Sequence, residues 1–219
     1  MTLTTPTRRL VLAAAGVSLA AAMGGHALAA SQKAPPPVLS AEDRALVDKA
    51  TAYIQTLGSA KGRFVQTDAR GTQTQGTFYL QRPGKARFAY DGPNGLLVVS
   101  NGSAVNIFDP RLKTFESYPL SRTPLVLLLA REVRLDRGVT ITGVRKLNDG
   151  FTVTAVDAKR QTLGRIALDF SNEPALLGWT VTDVKGGETR VRLVDFEKTS
   201  ALDPKLFVLT DPRRKFGKP

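Results

Sequence analysis

From Gly62 to Phe196 apolar and polar residues alternate with a period of two, and turn residues interrupt them at short intervals. A period of two is the pattern of half-buried strands. The interruptions are specific: Asp91-Gly92-Pro93-Asn94-Gly95, Asn101-Gly102, Asp109-Pro110, Asn148-Asp149-Gly150 and Gly186-Gly187. Links this short favour antiparallel neighbours in a meander over the crossovers that parallel strands need. Strands are expected near 62–68, 72–82, 85–91, 95–101, 103–109 and 113–118, and again near 139–146, 150–157, 162–171, 177–186 and 188–197. About eleven short strands with so little helix imply a strongly curved sheet or a barrel.

Two segments depart from this period. Ser40 and Asp43 have capping-box spacing, and Glu42 and Asp43 put negative charge in the first turn of a helix. Leu46, Val47, Ala50, Tyr53, Ile54 and Leu57 share one face of that helix, and Gly58 ends it. The second segment is Ser121-Arg122-Thr123-Pro124, where Thr123 reads as a cap and Pro124 as the first helical residue. Leu125-Val126-Leu127-Leu128-Leu129 follows and is apolar on every side. Such a helix must be enclosed or must cover an apolar surface. It is either a lid on the open side of the curved sheet or an ordinary core helix.

Composition narrows the chemistry. The chain has 219 residues, no Cys and a net charge of +12. Arg8 and Arg9, the uncharged run from Leu10 to Met23, and Ala27-Leu28-Ala29 have the layout of an export signal cleaved after Ala29. That run is too short and too rich in Ala and Gly for a membrane span. Thr7-Arg8-Arg9-Leu10-Val11-Leu12 also resembles a twin-arginine signal, and paired arginines occur in ordinary export signals, so the route stays open. The one His and both Met residues fall inside this signal. The part after it has neither His nor Cys, which removes Ser-His-Asp and Cys-His nucleophiles, His-containing metal sites and thiolate chemistry. A paired-carboxylate hydrolase survives on composition, but acids such as Asp91, Asp109, Asp149 and Asp157 stand isolated in turns or on polar strand faces. No enzyme, catalytic residue, metal or cofactor is expected. Nucleic acid fits poorly, because no basic cluster is interleaved with aromatics. Anionic membrane surfaces or acidic proteins suit the excess charge better.

The block Gly76-Thr77-Phe78-Tyr79-Leu80-Gln81-Arg82-Pro83-Gly84-Lys85-Ala86-Arg87-Phe88-Ala89-Tyr90 is the most informative stretch. Alternation puts Gly76, Phe78, Leu80 and Arg82 on one face of its first strand, and Ala86, Phe88 and Tyr90 on one face of its second. An arginine is rarely fully buried unless paired, so Arg82 belongs where an apolar concavity opens to water. It either latches a lid there or is a solvated residue at a strand end.

These residues resemble the periplasmic outer-membrane lipoprotein carrier (LolA) family. The likeness rests on the exported N-terminus, the amphipathic first helix, Gly62-Arg63-Phe64-Val65-Gln66, Gly76-Thr77-Phe78-Tyr79-Leu80 and Arg82-Pro83-Gly84-Lys85. Val98-Val99-Ser100-Asn101-Gly102, Phe108-Asp109-Pro110, and Tyr118-Pro119-Leu120 leading into Thr123 to Leu129 extend it over roughly Ser40 to Leu209. The resemblance implies an incomplete antiparallel barrel covered by an N-terminal helix and a short lid helix around a hydrophobic cavity. It implies domains of 1–29 (export signal), 30–39 (Pro-rich lead-in), 40–212 (carrier) and 213–219 (basic tail). By motif position Arg82 is the residue that contacts the lid and holds the empty carrier closed. Relatives often carry an aromatic where Ala86 stands and a tryptophan where Phe88 stands, which puts ligand fit there in question.

The implied activity is carriage of acylated lipoproteins through the periplasm by a monomer. An inner-membrane lipoprotein-releasing ABC transporter loads it and an outer-membrane lipoprotein acceptor unloads it. Each buried methylene contributes about 0.8 kcal/mol, so an acyl chain of roughly fourteen carbons carries on the order of 10 kcal/mol. Such a chain needs a shielded route through water. The candidate acyl-chain lining is Phe64, Phe78, Leu80, Phe88, Tyr90 and Leu97, with Val99, Ile107, Leu125, Leu128, Leu129 and Trp179. Taken singly, each reads equally as plain core; the lid and the resemblance make them a site. The alternative is a lipid- or lipoprotein-sensing regulator of envelope stress with the same cavity fold. Such regulators usually carry an additional domain, for which about 190 residues leave no room.

Overall fold

The computed structural model describes residues 38–93, 95–132, 139–157 and 164–211. The export signal, residues 30–37 of the lead-in and the basic tail 213–219 lie outside these. All eleven expected strands form: β1 (Ser59–Thr67), β2 (Gln73–Gln81), β3 (Lys85–Tyr90), β4 (Leu97–Asn101), β5 (Ala104–Asp109) and β6 (Thr114–Pro119), then β7 (Val139–Lys146), β8 (Gly150–Asp157), β9 (Arg165–Ser171), β10 (Leu176–Thr182) and β11 (Glu188–Thr199). They make one antiparallel sheet in the order β6-β5-β4-β3-β2-β1-β11-β10-β9-β8-β7. The sheet is open, an incomplete barrel with β6 and β7 as its edges. The chain leaves one edge at β6 and rejoins the sheet at the other, β7. The segment carrying the short leucine helix is therefore the link between the two edges.

One face of the sheet holds the core. Phe64, Phe78, Phe88, Val105, Phe151, Val153, Leu168, Phe170 and Trp179 belong to one apolar cluster, which also contains Val47, Ala50 and Ile54 of helix α1 (Ala41–Thr56) and Leu127 to Leu129 of helix α2 (Val126–Leu129). Strand parity brings these residues together, because register partners such as Phe78 with Phe88 and Trp179 with Val191 point to the same side. Gly76 makes room on this face: a Cβ there would lie 2.8 Å from the Phe64 ring and 2.2 Å from the Ala89 carbonyl. Without one, the Phe64 and Tyr90 rings flank Gly76 edge to face at 5.0 Å. A bulge at Asp195, whose φ is +52°, shifts parity in β11, so that both Leu193 and Phe196 reach the core side.

Helix α1 starts as its sequence indicates. Ser40 caps it by accepting from the Asp43 amide, and Lys146 of β7 pairs with Glu42 in its first turn. Its end differs from expectation. Leu57, not Gly58, is the C-cap, and Gly58 has no positive φ. The second helix is also shorter than expected. A 3-10 turn, Leu120–Arg122, comes first, and the Thr123 hydroxyl donates back to the Leu120 carbonyl instead of capping forward. The Thr123 and Pro124 carbonyls still accept from Val126 and Leu127, so winding begins there as tight turns and becomes α-helical only at Val126.

A second, smaller apolar patch lies on the opposite face. A final 3-10 turn, Pro204–Phe207, packs on β3 and β4, with Lys85 Nζ 5.9 Å from the Phe207 ring and Arg87 Nη1 donating to the Leu206 carbonyl at 3.1 Å. Phe207 is 2% exposed but stands outside the main cluster.

Candidate functional site

The link between β2 and β3 is where both helices meet the sheet. Gly84, at φ +79°, turns the chain so that its amide donates to the Leu129 carbonyl at 2.7 Å. Arg82 does more. Its amide donates to Gly58 O at 2.8 Å. Its Nη1 donates to the carbonyls of Ile54 and Leu57 at the end of α1, the latter at 3.3 Å. Its Nη2 donates to Ala130 O at 2.6 Å and Arg131 O at 3.5 Å, just past the end of α2.

Carbonyls in the last turn of a helix lack intrahelical donors and carry partial negative charge. A guanidinium with donors fixed in a fork can satisfy two such ends at once, which an ammonium cannot. Among the described residues no carboxylate pairs with Arg82, and burial lowers its pKa from the usual value. The cation is thus held by peptide oxygens alone, and Nε is buried without a partner. Arg82 is a bridge between α1 and α2, not a solvated strand end.

The apolar candidates divide by face. Phe64, Phe78, Leu80, Phe88 and Trp179 lie on the inner face and are buried. Their rings interlock: Phe64 to Phe88 at 5.3 Å, Phe78 to Phe88 at 6.4 Å and Phe88 to Trp179 at 5.8 Å. Tyr90 and Ile107 are inner and half-buried, and Leu125 packs against the same cluster from the start of α2. Leu128 and Leu129 close over it, each 1% exposed.

Leu97 and Val99 do not belong to this lining. Register pairs Phe88 with Val98, so Val98 is inner, while Val99 opposes Arg87 on the outer face that carries the Pro204–Phe207 turn. Leu97 shares the parity of Val99. The turn between β3 and β4 resets parity there. Val98, Val191, Leu193 and Phe196 are inner residues that sequence reasoning missed. Their signal was the pairing across strands, as in Val98 with Ile107.

Ala86 is inner and buried beside Leu80 and Ser100 in register. The Ser100 hydroxyl donates to Gly84 O at 2.6 Å, which ties β4 to the same turn that receives α2. At the opposite end of these strands, Arg63 forks onto Asp91 and holds its carboxyl below the usual range. No helix among the described residues is long and apolar enough to cross a membrane.

The family model described as outer membrane lipoprotein carrier protein LolA matches residues 55–210. An outer-membrane lipoprotein carrier protein from Methylococcus capsulatus is 31% identical over 155 residues, covering 68% of this chain and 74% of its own. Its counterpart from Pseudomonas paraeruginosa is 29% identical over 181 residues, covering 78% and 86%. Among solved structures, a LolA-superfamily protein from Nitrosomonas europaea is similar with a TM-score of 0.44 at 12% identity, covering 76% of this chain and 97% of that one.

Proposed function

Since the chain belongs to the outer-membrane lipoprotein carrier (LolA) family, we propose that it carries acylated lipoproteins through the periplasm from the inner to the outer membrane. It takes them from a lipoprotein-releasing ABC transporter and yields them to an outer-membrane acceptor. It performs no bond chemistry. Acyl chains lodge against the inner face, among Phe64, Phe78, Leu80, Phe88, Trp179 and Ile107, once Leu125, Leu128 and Leu129 swing away.

The observation that carries this reading is the fork of Arg82 onto both helix ends, above an aromatic floor. The energies are matched to a carrier. The three buried leucines of α2, Leu127, Leu128 and Leu129, represent roughly 5–9 kcal/mol, against about 10 kcal/mol for one acyl chain. Return of these leucines to the inner face offsets part of what departing acyl chains lose, which lowers the cost of release. The charge-assisted bonds of Arg82, about 1.5–3 kcal/mol each, then set how firmly the empty form stays shut.

Depletion of the protein in its host tests the role. Lipoproteins destined for the outer membrane should accumulate in the inner membrane; an unchanged distribution contradicts it. With Arg82→Leu, loading should persist while onward transfer fails. Wild-type transfer rates from that variant would remove Arg82 from the mechanism.

A further inference from the structure

One polar pair on the inner face has no task in lid closure. Gln66 on β1 opposes Thr74 of β2 on the inner side, and Tyr90 on β3 opposes Gly76. The Tyr90 hydroxyl donates to Gln66 Oε1 at 2.6 Å. With its oxygen engaged, the Gln66 side chain keeps two Nε2 hydrogens that have no partner among the described residues. Gln66 is half-buried, at the margin of the aromatic floor, where the Tyr90 ring meets Phe64. The Arg82 latch is at the other end of the same strands. From Thr74 to Arg82 along β2 the distance is roughly 27 Å at about 3.4 Å per residue.

An acyl lipid has the matching polarity: a long hydrocarbon that ends in a carbonyl where the head group begins. A carbonyl drawn to the edge of an apolar site loses water, and the loss is costly unless a donor replaces it. We propose that Gln66, held in orientation by Tyr90, donates its side-chain amide to the carbonyl of an acyl ester or amide and so fixes how deep the chain enters. The assignment rests on the carrier reading. It makes Gln66 a ligand contact and Tyr90 a positioning residue. Burial pushes the Tyr90 phenol up to about 12, so it stays protonated, and therefore a donor, throughout the physiological range.

The test compares two synthetic lipopeptides that differ only in linkage, one with a dipalmitoylglyceryl group on its cysteine and one with the dihexadecyl ether analogue. The ether has the chains but lacks the carbonyls. Trp179, the only tryptophan, reports occupancy from 5.8 Å beside Phe88. The wild-type protein should bind the ester about tenfold more tightly than the ether, equivalent to about 1.4 kcal/mol. Gln66→Leu and Tyr90→Phe should each bring the ratio of ester to ether affinity down to about one, with an unchanged circular dichroism spectrum showing that the variants fold. Equal binding of ester and ether by the wild-type protein overturns the assignment and leaves the carrier reading standing. An ester preference retained by Gln66→Leu overturns it as well. Binding of neither lipid overturns the carrier reading and this assignment together.

Discussion

Arg82 holds two helix ends with one side chain, and its replacement exposes what each bond contributes. Arg82→Lys keeps the charge but presents a point donor that cannot span the carbonyls of Ile54, Leu57 and Ala130. It should therefore behave closer to Arg82→Leu than to the wild-type protein, and both should raise acrylamide quenching of Trp179 in the empty form. Gly76 makes a different demand. Gly76→Ala sets a methyl group 2.2 Å from the Ala89 carbonyl, so urea denaturation should report a loss of about 3 kcal/mol. Tyr90 governs alkaline behaviour. Its folded pKa is raised from 10.0 to about 12, which means the fold favours the neutral phenol. That contribution, roughly 3 kcal/mol, is whole below pH 10 and is lost as pH rises through 12. Tyr90→Phe should remove this component from the pH dependence of stability between pH 10 and 12. Arg82 itself shows what a sequence hides. Alternation gave its face and its place at the edge of an apolar surface. Its partners on α1 are 25 and 28 residues away and are backbone carbonyls, which leave no mark in residue type.

At the scale of elements, the strands were legible because each is short, alternates cleanly and ends in a specific turn. The cap of α1 was legible for a similar reason, since Ser40 and Asp43 are local partners. What failed was parity across irregular connections. The turn after Tyr90 moved Val98 inward and put Leu97 and Val99 on the outer face, a choice made by register with β3 and β5 rather than by the strand's own sequence. The lid helix was overdrawn because Thr123 and Pro124 fit a helix start, yet the Thr123 hydroxyl is used backward on Leu120. The Pro204–Phe207 turn was missed because a single buried aromatic near the end of the chain has no periodic company. It grips β3 from outside while the lid grips the β2–β3 turn from inside. Phe207→Ala should cost about 3 kcal/mol, with hydrogen exchange accelerating first in β3 and β4.

On the scale of the whole molecule, an open sheet solves a problem that a closed barrel cannot. A closed barrel of fixed strand number has a fixed interior. Here the sheet is open, with β6 and β7 as its edges, and α2 lies in the stretch of sequence between those two strands. Leu127, Leu128 and Leu129 fill part of the inner face; under the proposed carrier role, acyl chains exchange with them. Native mass spectrometry of the protein isolated from its own host tests this exchange. The protein should emerge carrying one acylated lipoprotein, with Arg82→Leu carrying more of it than the wild-type protein does. A protein that emerges without acylated cargo in both forms, from cells rich in lipoproteins, would contradict it.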